Sequence, residues 1–112
     1  RERIIGADET QTIYTHVYDA VQNKPWPAEF AGRALRNPFV DHWHAREDEL
    51  LRAPDAVEEF ARAKASQDYS RANLYAGQSV GMAQRIRNAA EIVGELERDA
   101  IERLRACASI LS

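Results

Sequence analysis

A mainly helical α+β fold with one short β element is what this sequence predicts, and three observations predict it. Residues 10–18, TQTIYTHVY, are dense in β-branched and aromatic side chains and free of glycine and proline, which is a strand composition. Asn37-Pro38 has the form of a helix start, with a capping Asn and proline at the first helical position, and Ala53-Pro54-Asp55 breaks that helix and opens another. From Asn88 to the end, apolar residues recur at helical spacing. With 112 residues, 45% hydrophobic and 29% charged, the chain is long enough for one core and too short for two.

In the strand, strict alternation puts Thr12, Tyr14, His16 and Tyr18 on one face and Gln11, Ile13, Thr15 and Val17 on the other. Neither face is purely polar, so both are expected to be covered. Residues 19–32 read as a long connection built on Lys24-Pro25-Trp26-Pro27, with one helical turn over 28–31. The helix opened by Asn37 is expected to run to about residue 52, with Phe39, Trp43 and Leu50 on its inner side and Asp41, Arg46, Glu47 and Glu49 facing water. The next is short and amphipathic, marked by Val57, Phe60, Ala61 and Lys64, and residues 65–73 are polar loop or frayed helix.

The last helix is the clearest. Asn88 and Glu91 form an N-x-x-E capping box, and Val93, Leu96, Ala100, Leu104, Cys107 and Leu111 make an apolar stripe. Opposite charges at 95 and 98, 98 and 102, and 99 and 103 support its outer face by roughly 0.2–0.5 kcal/mol each. Burying the stripe is worth several kcal/mol, so the stripe decides where the helix goes.

The net charge of -3 comes from 15 basic and 18 acidic residues spread along the chain, which offers no basic face to nucleic acid or anionic lipid. No apolar run approaches the roughly 20 residues of a membrane span. A soluble, cytoplasmic protein is the expectation. The chain opens on Arg1 and its one methionine is Met82, so a natural product beginning upstream is expected, and this chain is read as a fragment. The single cysteine, Cys107, is expected to be a small buried thiol rather than a nucleophile, because nothing near it in sequence would lower its pKa.

His42-Trp43-His44 beside Asp41 and Glu47 invites a metal site, but residues two apart on a helix point about 200° away from each other and cannot share an ion. His44 and Asp48 supply two ligands at most, and no second cluster completes a set. No metal ligand is therefore assigned, and His16 is expected to be a packed strand residue rather than a base. Arg33 and Arg36 have the planar fork that clamps a carboxylate or phosphate; holding the long connection by its carbonyls is the preferred reading. Gly77 and Gly81, four apart near a helix start, could let backbone approach a ligand or simply pack tightly against a neighbour.

Several separated motifs occur in a specific order: T-x-T-x-x-x-x-V-Y-D at 10–19, W-P at 26–27, G-R-A-L-R-N at 32–37, W-x-x-R-E-x-E-L at 43–50, Y-A-G-Q-x-x-G at 75–81 and A-E-I-V at 90–93. In this order the chain resembles the C-terminal third of nitronate monooxygenases, also called 2-nitropropane dioxygenases. The resemblance implies a C-terminal fragment of an FMN-binding (β/α)8 barrel enzyme, including its small inserted domain. Residues 1–72 would belong to that insertion and residues 73–112 to the return to the barrel and its closing helix. It implies oxidation of alkyl nitronates by FMN and O2 to a carbonyl compound and nitrite; related barrels instead reduce quinones or enoyl thioesters with a nicotinamide cofactor. Tyr75, Gly77 and Gln78, matching the family's Y/W-A-G-Q element, are implied to line the flavin or substrate pocket, while Arg33 and Asn37 fix the small domain. The family's catalytic histidine and phosphate loops match no position here, so no catalytic residue is assigned.

A (β/α)8 barrel needs on the order of 200 residues. The fragment is therefore expected to be inactive alone, to lack its barrel partner and to self-associate through the uncovered stripe of the last helix. The competing expectation is a free-standing helical interaction domain that docks a partner near Trp26 and Trp43.

Overall fold

The computed structural model describes residues 1–110. After a one-turn helix α1 (Glu2–Ile5), a 3-10 turn (Glu9–Gln11) leads into the first strand. Asp8 caps that turn: its carboxylate accepts from the Thr10 N–H at 2.8 Å, while Gln11 Oε1 accepts from the Asp8 N–H at 2.9 Å. The Thr10 hydroxyl, and then its backbone N–H, hold the Asp8 carboxyl below its ordinary pKa.

Strand β1 (Thr12–Thr15) is shorter than the composition suggests. The chain turns at His16, which precedes helix α2 (Val17–Val21), so His16 is not a strand residue. β-Branched residues are poor helix formers, and tertiary burial overrides that preference here, because Val17, Tyr18 and Val21 are all in the core. The expected two-sided cover of the strand holds in part: Thr12, Ile13 and Thr15 are buried, whereas Tyr14 is 48% exposed.

G-R-A-L holds a second strand that sequence reasoning did not assign. Strand β2 (Gly32–Leu35) runs antiparallel to β1, with Thr12 opposite Leu35 and Thr15 opposite Gly32. A single bridge from Ala34 to Tyr75 extends this ladder on its other side, and the Leu35 N–H donates to the Leu74 carbonyl at 2.9 Å. The connection of residues 22–31 thus closes a hairpin. Tyr14 secures it, its hydroxyl accepting from the Ala31 N–H at 2.8 Å.

Asn37 caps as expected, Oδ1 accepting from the Val40 N–H at 2.9 Å, and Pro38 opens helix α3 (Pro38–Trp43). The helix does not continue to residue 52. Ala45 takes a left-handed φ of 61°, and a separate turn α4 (Glu47–Leu50) follows. A continuous helix would carry Leu50 roughly 16 Å along the axis from Phe39, beyond the small core that buries both. Breaking at Ala45 folds Leu50 back to full burial beside α2, a gain that exceeds the cost of about 1 kcal/mol for a left-handed alanine. Leu51 is left 56% exposed.

Helix α5 (Pro54–Ala65) lays Phe60 and Ala63 on the core, where the Phe60 ring meets Tyr18 and Phe39 at centroid distances of 5.9 and 5.4 Å. A 3-10 turn (Gln78–Met82) packs back on the Asp8 cap, and helix α6 (Ala89–Ile110) follows. Its capping box is present: Asn88 Oδ1 accepts from the Glu91 N–H at 2.9 Å and Glu91 Oε2 from the Asn88 N–H at 3.1 Å.

No residue of α6 is buried. Val93, Leu96 and Leu104 are 64–70% exposed, and Cys107 is exposed too, which corrects the expectation of a buried thiol. The stripe faces no other part of the described chain. Leu111, its last member, lies outside the described residues. Glu95 pairs with Arg87 ahead of the helix rather than with Arg98. The radius of gyration is 18.9 Å, against about 13 Å for a compact domain of this length, because α6 projects from the body. No described helix is long and apolar enough to cross a membrane.

Candidate functional site

The Y-A-G-Q segment enters the structure along β2. Tyr75 bridges to Ala34, and its ring stands edge-on to Tyr18 at 6.3 Å. It lies so close over Gly32 that a Cβ there would meet Tyr75 Cε1 at 3.0 Å, so the missing side chain is what lets the ring approach. On its open side Tyr75 forms a cleft of about 240 Å³ with Asp19, Lys24, Trp26, Ala31 and Gly32. The Lys24 ammonium is 5.8 Å from the Tyr75 ring centroid, and Trp26 is 59% exposed.

Of the three residues assigned to a flavin or substrate pocket, Tyr75 alone lines this cleft. Gly77 has open space where a Cβ would stand, with nothing within 4 Å, and Gln78 is exposed. Gly81 is different: a Cβ there would meet Glu9 Oε2 at 3.3 Å and Asp8 Cα at 3.5 Å. The two glycines thus divide the readings made for them, Gly77 open to approach and Gly81 packed against a neighbour.

Arg33 Nη1 donates to the Thr12 hydroxyl at 3.1 Å, and its guanidinium lies 5.7 Å from the Tyr14 ring centroid. Arg36 pairs with Asp41 at 2.5 Å. Both arginines therefore hold β2 and α3 rather than the carbonyls of the long connection. Asn37 ties the two halves of the chain, its Nδ2 donating to the Ala72 carbonyl at 2.9 Å. His44 Nδ1 lies 3.1 Å from the Thr15 hydroxyl, and His42 Nε2 is 3.5 Å from Arg46. No group of three or more possible metal ligands occurs among the described residues.

Tyr18 beneath Tyr75 is 1% exposed, and its hydroxyl has no hydrogen-bond partner among the described residues. Burial pushes its pKa up to about 12. The Asn37 side chain beside it acts in the opposite direction, and burial prevails.

The open Gly77 backbone and the exposed Gln78 amide suit the polar edge of a flat heterocycle, and Tyr75 offers an aromatic face. They do not suit a phosphate. The turn that follows Gly77 is a five-residue 3-10 helix, without the row of free N–H groups of a long helix start.

The fold that sets Tyr75 on a sheet edge beside an aromatic cleft matches a segment of a larger solved structure. The structure of FabK from Thermotoga maritima matches it with a TM-score of 0.59 over 94% of this chain and 32% of that one, at 23% identity. In sequence the chain is 33% identical over 97 residues to a nitronate monooxygenase from Neurospora crassa, covering 84% of this chain and 24% of that protein. Over the matched segment the chain is similar in sequence to the nitronate monooxygenase family. It spans about a quarter of the length of that relative. No family model matches the chain.

Proposed function

We propose that this chain is the C-terminal part of an FMN-dependent oxidoreductase that acts in the cytoplasm on alkyl nitronates. The observation that carries the reading is the sequence likeness, which runs through most of this chain yet through only a quarter of a nitronate monooxygenase. In this reading residues 1–72 belong to a small inserted domain, and residues 73–112 return to a (β/α)8 barrel and close it. The uncovered stripe on α6 supports a missing barrel portion as the partner, and self-association when that partner is absent.

FMN, when bound by the complete protein, supplies the redox chemistry that turns nitronate and O2 into a carbonyl compound and nitrite. Gly77 and Gln78 would hold the polar edge of its ring, and Tyr75 would wall the pocket and exclude water from one side. The phosphate is held by residues outside this chain. A reduction of quinones or enoyl thioesters with NAD(P)H is the second reading.

The test is a chimaera in which this chain replaces the matching quarter of the Neurospora protein. Retention of FMN with nitrite release from propyl-2-nitronate supports the oxygenase, and NAD(P)H oxidation without nitrite selects the reductase. Loss of flavin from a folded chimaera refutes both. The chain alone is expected to be inactive and to bind FMN weakly, and a dissociation constant on the order of 1 μM would overturn that.

A further inference from the structure

We propose that the cleft between Trp26 and Tyr75 binds a small planar organic monoanion, with Lys24 as its counter-charge. The proposal deepens the oxidoreductase reading and rests on it for one choice of ligand. An alkyl nitronate is such an anion, flat at its C=NO2 group, with the charge on two oxygens and an apolar tail.

Three features of the cleft carry this. Its walls are the Trp26 and Tyr75 rings and the bare backbone at Gly32, so a flat molecule of modest size fits the 240 Å³ between them. Its cation is at hand: Lys24 lines the cleft with its ammonium 5.8 Å from the Tyr75 ring centroid, and it pairs with no carboxylate among the described residues. Its frame is fixed, because Pro25 and Pro27 restrict the backbone on either side of Trp26. The Lys24 N–H donates to the Asp19 carbonyl at 3.0 Å, and the Trp26 N–H donates to the Lys24 carbonyl at 2.8 Å. Lysine and tryptophan are thereby presented to one side before any ligand arrives, which lowers the entropic cost of binding.

Asp19 at the same cleft sets the charge limit. One negative group can face Lys24 while its apolar part lies along the rings, but a dianion would meet the Asp19 carboxylate. The cleft is open to water, so the pair is screened, and a dissociation constant on the order of 1 mM is expected.

The experiment is a titration of the full chain, labelled with nitrogen-15, with benzoate and separately with propyl-2-nitronate. The readouts are the Trp26 indole N–H and the Gly32 amide. Saturable shifts of both are expected, weakened about tenfold by Lys24→Met, unchanged by Lys64→Met, and not competed by sulfate. Trp26→Ala is the second variant, and an undisturbed Ala34 amide shows in each case that the core is intact. Absence of saturation by either anion, or equal binding by Lys24→Met, overturns the proposal and leaves the oxidoreductase reading to its own assay. Binding of benzoate without nitronate supports the cleft and counts against nitronate as the substrate.

Discussion

Tyr18→Phe removes a hydroxyl that sits at 1% exposure with no partner, and the consequence is calculable. At neutral pH the native protein loses no hydrogen bond, so the variant should be equal to the wild type or more stable by about 1 kcal/mol. The alkaline behaviour is more diagnostic. Tyr18 ionises near 10.0 in the unfolded chain and near 12 in the fold, because burial disfavours the phenolate. Between these values the unfolded chain has released a proton that the folded chain retains, so stability falls as pH rises. A tenfold shift in protonation is worth 1.36 kcal/mol, which sets the loss at up to about 3 kcal/mol, complete once pH passes the folded value. Urea denaturation of both proteins, followed by circular dichroism from neutral pH to about pH 12, reads it. Contributions common to both proteins cancel in the difference. Parallel decline of wild type and variant would refute the reasoning, as would a variant weaker by more than about 1 kcal/mol at neutral pH.

Asn37→Ala loses both the helix cap and the bond to the Ala72 carbonyl, and should cost about 2–3 kcal/mol in the same denaturation assay. Asn37→Asp keeps the acceptor and lies between. Gly32→Val places a Cβ against the Tyr75 ring and should cost about 1–3 kcal/mol while changing the near-ultraviolet circular dichroism of the Tyr75–Tyr18 pair; an unchanged spectrum would contradict the contact. Leu96→Ser with Leu104→Ser should leave the unfolding midpoint within about 0.5 kcal/mol, since both side chains are already in water, while lowering the associated mass in sedimentation. A large loss of stability would show that the stripe is covered within the chain.

Local signals were legible in the sequence and long-range ones were not. The caps at Asn37 and at Asn88 with Glu91 could be read because a cap is a contract among four neighbouring residues, independent of the rest of the fold. Strand β2 could not. Four residues carry no measurable period, and G-R-A-L is a strand because TIYT from the other side of the hairpin pairs with it. The break at Ala45 was hidden for the same reason, since a helical continuation is locally acceptable and only the position of the core rules it out. The last stripe was plain as a pattern, but a pattern gives the face and not what covers it, so Cys107 was misplaced. Tyr75 stood out through its motif, whereas the cleft it completes draws on Lys24, Trp26 and Gly32, more than forty residues earlier, which no local window joins.

Helix α6 leaves the body through residues 83–88, where Arg85 stands in the open, and it contributes no buried residue to what it leaves behind. A single trypsin nick after Arg85 would therefore release a peptide with its own cap and its own apolar face, and the rest of the fold would lose nothing it depends on. Toward the barrel portion proposed above, such an element would behave as a tethered ligand. Its occupancy is governed by the effective concentration that the tether imposes, and a free copy of the helix in excess should compete for the same seat.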